Sequence, residues 1–217
     1  MNKNLMTLLT VVLMAGFSIN AKAQTGFNVS LKATPQFSFL LNQDDFDNSS
    51  IEKDATFRAN FGIGAGYNFS QNIGIGLDVL YGLQGQKMKV SGIEVDQRLD
   101  YVKIPLYLSY NSDPTKSIGF YGNIGPQINI LARAETSLGD SDQFLDNKDK
   151  YQAITFGGMV TVGSRFKLTE KLSLQTGLYF DIDFMNAEDK DFPGYSKGRA
   201  DTYNMNTGIQ VGLKYQL

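Results

Sequence analysis

The side chains best placed to do chemistry are nine charged residues that fall on the polar faces of segments with alternating hydrophobicity. They are Lys32, Arg58, Asp78, Lys103, Arg133, Arg165, Asp181, Asp183 and Lys214. Such a set can form an ion path, an anion site or a group of internal ion pairs. Because buried charges need partners, we predict the last of these, a lumen charge network that plugs the interior.

Asp181 and Asp183 have the spacing that most invites a catalytic or metal-binding interpretation. Residues two apart share one face of a strand, which paired carboxylates require. The chain has no His and no Cys, so it lacks the commonest general base and the commonest metal ligands. We therefore expect a structural role for both carboxylates, no enzymatic activity, and no catalytic, cofactor-binding or metal-binding residues.

Composition narrows the class of protein further. The 217 residues fit one domain, and 20 Lys and Arg against 22 Asp and Glu disfavour a nucleic-acid-binding protein. Without Cys there is no disulfide framework and no lipid-anchored cysteine.

The first 23 residues have the pattern of a secretory signal peptide. Lys3 precedes an apolar run over residues 5–19, and Ala21-Lys22-Ala23 offers a small-x-small cleavage site. The run is shorter than the ~20 residues of a membrane-spanning helix. We predict a signal peptide over residues 1–23 and a mature domain over residues 24–217, with 18 basic and 22 acidic residues.

The elements that position the charged residues are eight segments with the two-residue period of strands. Their bounds are 27–41, 57–69, 73–83, 101–110, 118–133, 154–166, 172–184 and 203–217. The connections alternate between short turns at 70–72, 111–116 and 167–171 and long polar loops at 42–55, 85–97, 135–150 and 186–201. This pattern predicts an all-β fold: an eight-stranded antiparallel transmembrane β-barrel with an up-and-down meander, after a cleaved signal peptide.

The same alternation also fits a secreted lipocalin-like carrier, which buries its apolar face around a ligand. Three features favour a membrane barrel, in which the apolar face is outside. That face carries no Asp, Glu, Lys or Arg, the polar face is rich in Gly, and aromatic residues gather near both strand ends. Three prolines within strands, Pro35, Pro105 and Pro126, predict bulges or local gaps in the ladders.

Two segments resemble a known family. Residues 99–108, LDYVKIPLYL, resemble the L-x-Y-h-x-I-P-L-h-h signature of PorT-like outer-membrane β-barrel proteins, and residues 120–126, FYGNIGP, look like the G-x-x-G-P strand that follows it. The resemblance implies a small barrel of the OmpA/OmpX type in the outer membrane of a Gram-negative bacterium. Both termini would be periplasmic and the long loops extracellular. The founding member of that family is linked to protein secretion across the outer membrane, but similarity of fold alone does not transfer that role.

The number of residues between each charged residue and the nearest short turn gives its approximate depth in the barrel. Residues at similar depth are candidate partners within the charge network. Asp78 and Lys103 fall at similar depth on neighbouring strands, so we predict an ion pair between them. Asp181 and Asp183 fall near the depth of Arg58 and Arg133.

The long loops are acidic. Their net charges are −4 for residues 42–55, −3 for 135–150, −1 for 186–201 and zero for 85–97. We expect a solvated, mobile rim; a sharper hypothesis is weak divalent-cation binding that bridges the rim to lipopolysaccharide. The acids concerned are Asp44, Asp45, Asp47, Asp140 and Asp142.

These observations predict a monomeric envelope protein with a structural or interaction role. Its expected partners are outer-membrane lipid and lipopolysaccharide, with envelope or secretion proteins as further candidates at the loops and no nucleic acid or cofactor. Two alternatives remain open: an accessory component of protein secretion or transport across the outer membrane, and the lipocalin-like carrier.

Overall fold

The computed structural model describes residues 25–113, 115–139 and 143–217. The predicted signal peptide, residues 1–23, lies outside the described residues, as do Asp140 and Asp142. No helix in the described ranges is both long enough and apolar enough to cross a membrane.

Strands make up most of the described chain. They are β1 Gly26–Leu41, β2 Ile51–Asp54, β3 Thr56–Asn68, β4 Ile73–Val90, β5 Ile93–Asn111, β6 Ile118–Leu138, β7 Leu145–Asp146, β8 Ile154–Lys167, β9 Leu172–Asp183 and β10 Tyr203–Gln216. A short helix, α1, spans Gln43–Asp47, and a 3₁₀ turn spans Lys148–Lys150.

Eight of these strands form a closed antiparallel ring. The order around it is β4, β3, β1, β10, β9, β8, β6 and β5, and the pairing of β4 with β5 completes the circle. Each of the eight strands pairs with the next one along the chain, and the last strand, β10, pairs with the first, β1. The predicted up-and-down barrel is therefore confirmed. The short strands β2 and β7 add to β4 and β6 at the end of the barrel that carries the long loops.

The two faces of the barrel are inverted relative to a soluble protein. Ile63 and Leu178 point outward and are 64% and 68% exposed, whereas Asp78 and Asn206 point inward and are fully buried. An apolar outer surface and a polar interior suit a lipid surround. A lipocalin-like carrier needs the opposite arrangement, so that alternative is wrong.

Residues 85–97, predicted to be a loop, instead continue the sheet. Strands β4 and β5 extend to Val90 and Ile93 and are joined by Ser91 and Gly92, both with positive φ. Two central residues with positive φ are typical of a tight hairpin turn whose twist matches the strands. Beyond the membrane both faces of a strand meet water, so the apolar-polar alternation fades although the pairing continues.

The strand prolines lie beside interruptions in the ladders. Next to Pro35, Pro105 and Pro126 the pairing skips residues and resumes in the same register. The missing N–H groups are thus accommodated by gaps rather than by bulges. A register shift occurs elsewhere, between Asp100 and Tyr101.

We predict that Val79→Arg weakens the barrel much more than Ile93→Arg. Both residues are exposed aliphatics, 46% and 57%, but Val79 lies mid-strand on the lipid face and Ile93 at the tip of the extended hairpin. Arg near the bilayer midplane costs roughly 2–4 kcal/mol and near the interface far less. Denaturant unfolding in lipid vesicles, with gel migration before and after boiling as a folding check, measures both. Equal losses for the two variants would contradict a lipid-facing Val79.

Candidate functional site

The interior of the barrel is crossed by a triangle of buried side chains from β1, β4 and β5. Lys32 Nζ lies 2.6 Å from Asp78 Oδ2 and donates to the Tyr107 hydroxyl at 2.9 Å. That hydroxyl donates to Asp78 Oδ1 at 2.9 Å, which closes the triangle. Every polar atom of the three has a partner inside the lumen, so the cost of burying the charges is offset locally.

Two glycines make space for this triangle. A side chain at Gly64 would collide with the Asp78 carboxylate, and one at Gly76 with the Tyr107 ring. The glycines on the polar face therefore have a packing role, since a barrel of eight strands has little interior volume.

A second ion pair lies between β5 and β9. Lys103 Nζ reaches both oxygens of Asp181, at 2.9 and 2.8 Å. Asn206 donates to Asp181 Oδ1 at 2.9 Å and to Gln84 at 3.0 Å, which ties the pair to β10 and β4. Lys103 and Asp181 are almost completely buried, so this connection also spans the interior of the barrel.

Asp183 is buried without an ion-pair partner among the described residues. Its carboxylate accepts hydrogen bonds from Asn129 at 2.6 Å, from Thr155 at 2.8 Å and from Asn204 at 2.8 Å. These neutral donors come from β6, β8 and β10 and occupy both oxygens.

The predicted ion-pair partners are wrong. Asp78 pairs with Lys32 instead of Lys103, and Lys103 pairs with Asp181. Strands in a barrel are tilted and staggered, so residues at equal counts from the turns lie at different heights. Long lysine side chains then reach across the lumen to strands that are not neighbours.

Arg58 and Arg133 also have other partners than predicted. Arg58 Nη2 lies 2.7 Å from Asp96 Oδ1, and Arg133 Nε lies 2.7 Å from Asp100 Oδ2. Both pairs lie toward the long-loop end, and both arginines are partly exposed.

The remaining two of the nine predicted residues, Arg165 and Lys214, lie near the short-turn end of the barrel. Neither forms an ion pair with any described residue. The structure thus brings the predicted set together as two deep pairs, two pairs near the loops, one carboxylate held by neutral donors, and two unpaired cations.

The arrangement leaves Asp181 and Asp183 no free oxygen for catalysis. In the described ranges, no group of three or more acidic residues is placed to hold a metal ion. Sequence reasoning missed the neutral partners, chiefly Tyr107, Asn129 and Asn206. They occupy inward positions of the alternating pattern, which is the only signal that pointed to them.

A second cluster ties the long loops together around Arg199. Its guanidinium binds Asp45 at 2.9 and 3.2 Å, and its Nε lies 3.0 Å from Glu188. Burial lowers the pKa of Arg199, but the hydrogen bonds to Asp45 and Glu188, together with the negative charges of both carboxylates, outweigh that effect and raise it overall. We call Asp44, Asp45, Glu188, Arg199 and Thr202 the loop clamp.

The loop clamp joins the segment after β1 to the loop before β10. The backbone N–H of Ala200 donates to Asp44 at 2.7 Å, and the Thr202 hydroxyl donates to Glu188 at 2.9 Å. Asp47, on the same helix, accepts from Gln43. The described acids of the predicted cation site are thus engaged within the protein, which leaves divalent-cation binding an unsupported hypothesis.

Comparisons with known proteins agree with the barrel fold. Residues 9–216 match the family described as outer membrane protein beta-barrel domain. Among solved structures, neisserial surface protein A is 16% identical with a TM-score of 0.54, covering 89% of this chain and 98% of that one. A major outer membrane protein from Thermus thermophilus is 13% identical with a TM-score of 0.51, covering 88% and 99%. At such identities the likeness concerns the fold. No curated protein matches.

We predict that Asp78→Asn destabilises the barrel by on the order of 3 kcal/mol, because it leaves the Lys32 cation buried without a counter-charge. Adding Lys32→Met to this variant should recover most of the loss. Denaturant unfolding in vesicles gives the free energies, and Asp191→Asn on an exposed loop is the control. A double variant as unstable as Asp78→Asn alone would refute the pairing.

Proposed function

Because this chain belongs to the outer membrane protein β-barrel domain family, we propose that it works in the cell envelope as a closed barrel that presents interaction loops. The observation that carries the proposal is the pair of buried ion pairs that bridge the lumen, Lys32 with Asp78 and Lys103 with Asp181. They argue against conduction through the barrel. With both carboxylates of the Asp-x-Asp pair saturated, we also propose that the protein is not an enzyme.

The proposal of a plugged lumen rests on the free-energy cost of separating its ion pairs. An ion crossing the barrel would have to separate two buried pairs, which leaves their charges without a counter-charge inside the lumen. Breaking one such pair costs about 3–5 kcal/mol, because an uncompensated charge remains. The interior is therefore better suited to holding the strands in place than to transport.

The loops are the surface left for interaction. Loops on a rigid scaffold are where binding residues usually lie. The loop clamp gives this end a defined shape, since Arg199 joins α1 to the loop before β10 through Asp45 and Glu188. We place this end outside the cell and both termini in the periplasm, as in barrels with short periplasmic turns and long extracellular loops. Lipopolysaccharide and envelope proteins are the partners we propose for it.

The narrower resemblance to PorT-like proteins remains part of the proposal. The residues of the signature all serve the barrel itself: Tyr101, Lys103 and Tyr107 point inward, while Leu106 and Leu108 face outward. A match on such residues supports a shared barrel. It does not by itself favour a role in secretion over the structural role.

We predict that the wild-type protein shows no stable conductance in planar bilayers. The double variant Lys103→Ala with Asp181→Ala, which removes the central pair, should give measurable openings if it still folds, as judged by gel migration before and after boiling. Stable, ion-selective channels in the wild type would refute the plug.

We predict that Arg199→Gln frees the loops and leaves the barrel intact. Amide hydrogen exchange at Ala200 and Thr202 should accelerate by roughly tenfold or more, because the charged hydrogen bonds that order this loop are lost. Exchange in the barrel strands should not change. Lys197→Gln, an exposed residue of the same loop, is the matched control. Unchanged exchange at Ala200 would show that the clamp does not order the loop.

A further inference from the structure

The short-turn mouth of the barrel carries more basic than acidic side chains. Arg165 on β8 and Lys214 on β10 form no ion pair with any described residue. Lys171 lies at the same mouth, in the turn between β8 and β9. Among the described residues that line the cavity there, Glu170 is the only acid, and it binds the neighbouring Lys167 at 3.2 Å. Such an excess of cations favours an anion that comes from outside the chain.

A cavity lies at this mouth. It measures about 80 Å³, and its walls include Asn68, Asn111, Arg165, Lys171, Lys214 and Gln216. Lys214 also lines a smaller cavity that reaches inward to Lys32 and Tyr107. Because a cavity needs only about 10–15 Å³ of such space to hold one water molecule, the outer cavity has room for a small tetrahedral anion.

Two buried donors near this mouth have no acceptor among the described residues. One is Nε of Arg165, a residue that is only 7% exposed, and the other is Nδ2 of Asn28, which lines the smaller cavity. Arg165 is also held in place, since its Nη2 donates to the backbone carbonyls of Asp113 and Lys116 at 3.2 and 3.3 Å. A fixed guanidinium with an unused N–H is a preorganised partner for an oxyanion.

We propose that the short-turn mouth is a binding site for a phosphate group, held mainly by Arg165 and Lys214. A guanidinium offers a planar set of donors and an ammonium a compact charge, and together they suit an anion with several oxygens better than chloride. The phosphate can come from free inorganic phosphate or from a phospholipid headgroup at the membrane interface. Arg165 and Lys214 belong neither to the buried ion pairs nor to the loop clamp, so the site does not depend on the proposed function.

The test is a titration of the purified barrel in a maltoside detergent, which carries no phosphate of its own. Inorganic phosphate is compared with sodium chloride at equal ionic strength, and binding is followed by backbone amide NMR shifts and by melting temperature. We expect saturable shifts around Lys214 and Ser173 and a phosphate-dependent rise in melting temperature, because a ligand that binds only the folded state stabilises it.

Lys214→Gln should weaken phosphate binding by about tenfold or more, since a charge-assisted hydrogen bond is lost. Arg165→Lys tests the guanidinium and should also weaken binding, with gel migration before and after boiling showing that each variant folds. Lys190→Gln, an exposed lysine at the opposite end, should bind phosphate as the wild type does.

A second arm identifies the source of the phosphate. In bilayers of a phosphate-free glycolipid, we add either phosphatidylglycerol or inorganic phosphate and follow the same amide signals. A shift with the lipid that inorganic phosphate displaces assigns the site to headgroups, and a shift with inorganic phosphate alone assigns it to the free anion. No saturable shift in either arm, or shifts equal to those caused by chloride, would overturn the proposal.

Discussion

The charged side chains deep inside this barrel have to find their partners within the lumen. The ring of eight strands closes on itself, and its outer surface is apolar, so neither a sheet edge nor the surroundings can satisfy a buried polar group. The triangle of Lys32, Asp78 and Tyr107 and the contact of Lys103 with Asp181 are the solution to that constraint. The glycines opposite them follow from it, since they leave the volume that those side chains fill.

The network specifies the arrangement of strands more than it adds stability. Buried ion pairs are seldom more stabilising than apolar packing of the same volume, whereas losing one partner is costly. Here the partners come from strands that are not neighbours in the ring: β1 with β4, and β5 with β9. A shifted register would place a charged side chain opposite residues that cannot pair with it, so the ion pairs favour one register for the ring.

The sequence predicted the ring well and the contacts inside it poorly. Alternation with a period of two is a property of each strand alone, so the eight barrel strands and their inward faces could be read directly. The partner of Asp78 depends on strand stagger, which the sequence does not display, and Lys32 is 46 residues away. The extension of the hairpin of β4 and β5 was missed because the alternation of apolar and polar residues weakens where both faces of a strand are exposed to water. Nothing local marks Arg199 as the partner of Asp45, which lies 154 residues away.

The two ends of the barrel differ in how their charges are balanced. At the long-loop end the arginines have acidic partners: Arg58 pairs with Asp96, Arg133 with Asp100 and Arg199 with Asp45. At the short-turn end Arg165 and Lys214 have none among the described residues. The two buried ion pairs between them, Lys32 with Asp78 and Lys103 with Asp181, each cancel within the lumen and add no net charge between the ends. A partner at the loops therefore meets a surface whose charges are already engaged, whereas an anion at the other mouth meets charges that are still available.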